Sequence, residues 1–364
     1  AISSPEEYGG QGLPPVLTLA MAEFVASGNM AFALGPMLTP AACQAIAHAG
    51  TDDQKAYYLP KMVSGVWSGT MCLTEPHCGT DLGLIKTKAV QDGDVFRITG
   101  NKIWITYGEH DLTENIVHLV LAKLPDAPAG SKGISMFIVP KVLPDGSPNG
   151  VTCTGLEKKL GQHASPTCFM SFDNAQGTLL GELNHGMHNM FVMMNEARVG
   201  VGVSALAMAE ISYQTAVMFC QDRRQSRALD PKKRDEGHSA DTILVHPDVR
   251  RQLLEVQSTN IAMRALVVYT GVLMGSKDDN DQARVSLLTP VVKAFLSERG
   301  CDNIGHCMQV VGGAGYVKDW CIEQYYRDAR ISMIYEGTNG IQALDLVGRK
   351  LVKDNGAALR SLLL

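Results

Sequence analysis

Apolar residues recur at three- and four-residue intervals from Leu17 to about Trp67, through LTLAMAEFVA, TPAACQAIAHAG and TDDQKAYYLPKMVSG, and this spacing predicts amphipathic helices. Thr39 and Thr51 stand where N-caps belong, and Gly50 where a helix stops. From Gly69 to about Phe172 the period drops to two. TMCLTE, LIKTKAV, DVFRITG, KIWITY, IVHLVLAK, GISMFIVP and TCFMSFD are short runs separated by turn clusters such as QDGD and PDAPAGSKG. They predict an antiparallel β domain of roughly 100 residues, a sandwich or barrel. From about Gly186 helical spacing returns in three long runs, which predict a helical bundle, with QSRALDPKKRDEGHSADT expected as a surface loop between the first two. Strands never alternate with helices, so the class is α+β: a helical domain over 1–68, a β domain over 69–178 and a helical bundle over 179–364.

Composition narrows the function classes. A chain of 364 residues with 45% hydrophobic and 19% charged residues is globular and long enough for more than one core. Its net charge of −5 gives no reason to expect nucleic acid or an anionic membrane. No consecutive apolar run approaches the roughly 18 residues of a membrane span, and AISSPEEYGGQG lacks the basic start and apolar core of a signal peptide, so a cytoplasmic protein is expected. The chain opens on Ala inside a PEEYGGQG turn, which suggests that further sequence precedes it. The nine cysteines form no C-x-x-C pair and read as reduced core thiols.

Several motifs carry duller meanings than they first suggest. Gly200, Gly202 and Ala205 match a G-x-G-x-x-A dinucleotide fingerprint with Asp222 downstream, but the flanking runs have helical rather than strand spacing, so a close helix contact is expected. His185 and His188 lack a third ligand at helical spacing, and no metal site is expected. No phosphate loop or G-x-S-x-G elbow occurs.

Three stretches make little sense as structure alone. CLTEPHCGTD (72–81) is a glycine-containing loop after a strand, whose N–H groups could face a ligand. KIWITYG (102–108) places Trp104 and Thr106 on one strand face and Ile103 and Ile105 on the other, an arrangement suited to a flat, hydrogen-bonding ring system. QVVGGAGY (309–316) ends a helix in glycines that permit close approach. Glu336 in MIYEGTNGIQ puts a carboxylate at the end of an apolar run. An acid there suits the N-terminus of a helix through GIQALDLVG, and it equally suits a buried base.

Taken in order, CLTEPHCGTD, KIWIT, EARVGVG, DRRQS, QVVGGAGY and IYEGTNGIQ resemble the acyl-CoA dehydrogenase family of flavoenzymes, across essentially the whole chain and at the family's spacing. The resemblance implies FAD as cofactor. It assigns Leu73, Thr74, Trp104 and Thr106 to the isoalloxazine ring, and Gly79 and Thr80 to the flavin phosphates and the pantetheine path. Arg223, Gln225, Gln309 and Gly313 would bind the adenine half, in part across a subunit boundary, and Thr338 would make a further FAD contact. Asn195 and Arg198 would lie near CoA, Tyr335 and Gly337 beside substrate, and Glu336 would be the base that removes the α-proton as the β-hydride leaves to the flavin. Desolvation between Ile334 and Tyr335 would raise its pKa toward neutrality. Electrons would pass to an electron-transferring flavoprotein, with an oxygen-using acyl-CoA oxidase or a catalytically silent flavin-binding relative as alternatives, and a homodimer or homotetramer is implied.

The departures from the pattern are specific. Some members carry the base where this chain has Ala197, with Glu196 one residue out of register. Ser226 and Arg227 replace a phenylalanine–glycine pair, and Gly340 replaces a longer polar residue. KKLGQHASPTC and LVHPDVRR look most like a larger subgroup that includes 3-methylmercaptopropionyl-CoA dehydrogenases, so that thioester or a short or medium acyl-CoA is the implied substrate.

Overall fold

The computed structural model describes residues 2–352 and 355–363. The chain divides into two compact units, one of Ala1–Thr18, Ala31–Lys159 and His163–Ala197, the other of Leu19–Met30, Leu160–Gln162 and Arg198–Leu364.

The first unit joins most of helix α2 (Met30–Ala49), helix α3 (Asp52–Val63), seven strands and the start of a long helix α4 (Gly186–Asp222). Helix α3 begins where expected, on a capping box in which Thr51 and Gln54 satisfy each other's backbone N–H groups. Thr39 is not a cap. It lies buried inside α2, and its hydroxyl accepts from Gly69 N–H at 3.1 Å.

The strands are β1 (Trp67–Cys72), β2 (Lys88–Asp92), β3 (Val95–Thr106), β4 (Asn115–Lys123), β5 (Ile134–Pro140), β6 (Val151–Leu156) and β7 (Thr167–Leu179). The path from β4 through β2, β3, β7 and β5 returns to β4, so the sheet closes on itself. It is mixed rather than antiparallel, because β1 and β2 both pair with β4 in parallel. Three features depart from the sequence pattern. DVFRITG and KIWITY are one strand, β3; a bulge lies between Lys102 and Ile105; and β6 is an additional strand on the flank of β7. Apolar cores lie under both sheet faces, one shared with α2 and α3 through Ile46, Leu59, Met62 and Leu119, the other among Phe96, Phe137, Met170 and Phe172.

The second unit is helical, with most of α1 (Pro15–Gly28), the remainder of α4, α5 (Pro247–Met274), α6 (Asp279–Val311), α7 (Ile322–Ala329), α8 (Asn339–Asp345) and α9 (Ala357–Leu363). The fingerprint-like glycines lie within α4, and Gly202 serves helix packing: a Cβ on it would sit 3.1 Å from Val292, and one on Gly300 of α6 would sit 2.9 Å from Ala205. Helices α2 and α4 are long and apolar enough to cross a membrane by length and composition, contrary to the reading by consecutive runs, since scattered polar residues break the runs without making the windows polar. More than half of each such stretch is buried inside the protein.

Candidate active site

In the second unit Glu336 follows a short 3₁₀ turn and has φ 55°, with Gly337 next at φ 82°. A left-handed conformation costs a residue with a Cβ roughly 1–2 kcal/mol, so neighbours must hold it. Three buried side chains do. The Glu336 carbonyl accepts from Arg198 Nε at 3.3 Å and Gln342 Nε2 at 3.1 Å, and the Gly337 carbonyl accepts from Lys293 Nζ at 2.8 Å and Gln342 Nε2 at 3.0 Å. A Cβ on Gly337 would lie 2.9 Å from the Gln342 amide, so the turn demands glycine both for its φ and for this approach.

The cations are themselves anchored. Arg198 Nη1 pairs with Asp345 at 3.2 Å, and Lys293 Nζ donates to Asn339 Oδ1 at 2.9 Å. Neither Arg198 nor Lys293 reaches the surface. Arg198, expected near CoA, lies under the Glu336 turn, where its guanidinium bonds Asp345 and a backbone carbonyl.

The Glu336 carboxyl is half-buried, and burial pushes its pKa from 4.5 up to about 7 against the opposing pull of Arg198 and Lys293. Burial likewise brings Lys293 down to about 8. Ile334, expected to shield the carboxylate, is 49% exposed, because the left-handed turn carries the run out of line. The helix-capping alternative for Glu336 is excluded: α8 is capped by Thr338, whose hydroxyl accepts from Ile341 N–H at 3.3 Å. Lys293, Gln342 and Asp345 escaped sequence reasoning. The available signals were a lysine inside the apolar run VVKAF and two polar residues three apart in GIQALDLVG.

Arg223, Gln225, Gln309 and Gly313 lie exposed on this unit, Arg223 Nη2 reaching Gln225 at 3.2 Å, and a Cβ on Gly313 would meet nothing within 4 Å. Helix α6 ends at the glycines, with Gly312 at φ 68°.

In the first unit Leu73 and Thr74 follow β1, and Gly79 and Thr80 lie exposed beyond a tight bridge between Glu75 and Cys78. Neither the N–H nor the hydroxyl of Thr74 has a hydrogen-bond partner among the described residues. The β3 bulge breaks the expected alternation: Trp104 takes φ 61° and is 59% exposed with its Nε1 donating to Glu157 at 2.9 Å, Ile105 is buried, and Ile103 and Thr106 are both half-buried. Asn195, on α4, has a buried Oδ1 without a hydrogen-bond partner among the described residues. Within the first unit, an exposed indole, the unpartnered N–H and hydroxyl of Thr74 and the open Gly79–Thr80 backbone are the chemistry that a flat aromatic ring and a phosphate would need, so these residues fit part of a flavin nucleotide.

Family models match three consecutive segments: acyl-CoA dehydrogenase, N-terminal domain, over 1–66; middle domain, over 70–175; and C-terminal domain, over 184–351. The chain is 46% identical to a 3-methylmercaptopropionyl-CoA dehydrogenase of Ruegeria pomeroyi, covering 99% of this chain and 63% of that protein. It is 38% identical to a broad-specificity linear acyl-CoA dehydrogenase of Mycobacterium tuberculosis, over 97% of this chain and 61% of the relative. The chain thus spans about three fifths of the length of these relatives. The structure of butyryl-CoA dehydrogenase from Megasphaera elsdenii superposes with a TM-score of 0.83 at 25% identity, covering 96% of this chain and 86% of that one.

Proposed function

Because the chain belongs to the acyl-CoA dehydrogenase family, we propose that it is an FAD-dependent enzyme that dehydrogenates an acyl-CoA thioester between Cα and Cβ, giving the trans-2-enoyl-CoA. The observation that carries this reading is Glu336, a carboxylate with a raised pKa on a left-handed turn built from three buried donors. A base of pKa near 7 is largely ionised at physiological pH yet strong enough to take a weakly acidic α-proton. Bound FAD supplies the two-electron oxidant that accepts the β-hydrogen as hydride.

Leu73, Thr74, Trp104 and Thr106 hold the flavin ring in this reading, Gly79 and Thr80 the phosphates and pantetheine path, and Arg223, Gln225, Gln309, Gly313 and Thr338 the remainder of FAD. Asn195 is assigned to the CoA chain, Tyr335 and Gly337 to the acyl group, and Arg198 to orienting the base. Electrons pass to an electron-transferring flavoprotein in the cytoplasm. The 46% identity to a 3-methylmercaptopropionyl-CoA dehydrogenase supports that thioester, or a short or medium acyl-CoA, as substrate.

Anaerobic mixing of the FAD-loaded protein with a series of acyl-CoAs is expected to bleach the flavin absorbance, fastest with 3-methylmercaptopropionyl-CoA or a chain of similar length. Peroxide on admitting air would make oxygen the acceptor instead, and a flavin that no acyl-CoA bleaches would overturn the reading.

Helix α5 also presents Leu254, Ile261, Val268 and Val272 to solvent at seven- and four-residue spacing, each 47–59% exposed. A heptad stripe of this kind suits a helix of a second copy, supporting the homodimer or homotetramer. Light scattering is expected to return two or four times the 39.2 kDa chain mass, and Ile261→Glu with Val268→Glu to lower it. An unchanged mass in the double variant would remove α5 from the interface.

A further inference from the structure

Lys102 is fully buried on β3, one residue from the bulge, and its ammonium has two partners: the Leu73 carbonyl at 2.9 Å and Glu75 Oε1 at 2.9 Å. The next residue of β3 continues the grip, Ile103 N–H donating to the Thr74 carbonyl at 2.9 Å. Both carbonyls of the Leu73–Thr74 pair are therefore turned toward β3, while β3 engages neither the N–H nor the hydroxyl of Thr74.

Glu75 is the hub of the arrangement. Its carboxylate also accepts from Thr87 N–H and hydroxyl at 3.0 and 2.6 Å and from Lys86 N–H at 2.7 Å, while its backbone exchanges two hydrogen bonds with Cys78, immediately before Gly79 and Thr80. Burial opposes ionisation of Glu75, but Lys102 and these donors outweigh it and hold the carboxyl below its usual pKa.

A buried ion pair is a poor way to gain stability, since desolvating both charges offsets most of their attraction. What this one does is geometric: from a single point it fixes both flanks of the 73–80 loop. We propose that the Glu75–Lys102 pair is a positioning device for FAD, setting the backbone of Leu73–Thr74 and Gly79–Thr80 so that the loop meets the cofactor preformed. The inference rests on the reading of this loop as the FAD-facing one.

The test uses the full chain and FAD. Lys102→Met and the near-isosteric Glu75→Gln are each stripped of flavin and titrated with FAD at a temperature where near-UV circular dichroism matches the wild type, and the reduction potential of the reloaded flavin is measured. Arg97→Met, which breaks the exposed pair between Arg97 of β3 and Asp92 of β2, is the control. Glu75→Gln keeps the shape and an acceptor for Lys102 while removing the charge, so it decides the matter if the lysine variant fails to fold. The expected result is an FAD affinity at least about tenfold weaker and a shifted flavin potential in the pair variants, with neither change in the control. Folded pair variants with wild-type affinity and potential would overturn the inference alone. A wild-type protein that binds no FAD would overturn the cofactor reading, and the inference with it.

Discussion

Glu336→Gln is expected to slow bleaching of the flavin by acyl-CoA by about two to four orders of magnitude, the usual contribution of a positioned general base. The flavin spectrum should stay intact, since Gln preserves the side-chain shape and the left-handed turn is held through carbonyls that the substitution does not touch. The pH profile separates loss of the base from a bent site. With the wild-type carboxyl at about 7, the rate should rise with pH through that value and level off above it, and the variant should lack this limb.

Stability moves in a calculable direction as well. The folded-state pKa lies above the ordinary 4.5, so protonation favours the folded wild type; that stabilisation is complete below about 4.5 and is lost as pH rises through about 7. Gln cannot ionise. The variant should therefore gain on the wild type between pH 5 and pH 8, by on the order of 2 kcal/mol after discounting for the carboxyl's partial exposure. An identical difference in Tm at both pH values would mean that burial does not shift this carboxyl, and an undiminished bleaching rate would sink it as the base.

Arg198→Met should cost about 3–5 kcal/mol in urea unfolding, a large part of a typical domain's stability. The methionine fills much of the space but leaves the Asp345 carboxylate, 6% exposed, to pair with the solvent-facing Arg349 at 3.8 Å. The Glu336 carbonyl loses a donor at the same time. Pairing the change with Asp345→Asn removes both charges and should recover part of the loss, because a buried charge is costly chiefly when its partner is missing. A single variant within about 0.5 kcal/mol of wild type, the range of a neutral surface change, would show that the pair does not hold the turn.

The proposed site draws on residues whose chemistry is written in short motifs. Glu336, Thr74 and Trp104 each lie in a stretch that makes poor sense as plain helix or strand, and that oddness could be read without coordinates. Lys293 was equally odd inside VVKAF, yet nothing local says that its ammonium reaches Gly337 and Asn339, more than forty residues away. The β3 bulge was hidden for a different reason. An extra residue is defined only by counting against the partner strand, and KIWITY alone keeps a plain alternation. Strand β6 pairs on one side only, with β7, and half of its residues are exposed, so it carries little apolar signal.

By itself the sequence determined the kinds of element and their order, the N-cap at Thr51 and the close helix contact at Gly202, since each depends on residues a few positions apart and on side-chain size or polarity. Only the tertiary structure decided that the sheet closes on β4, that Arg198 turns inward to Asp345 and the Glu336 carbonyl, and that Thr338 rather than Glu336 caps α8. The reason is physical. A local period records which face of an element is dry, whereas the partner of a buried charge is chosen by whatever the fold brings within about 3 Å of it, here from 138 and 147 residues along the chain.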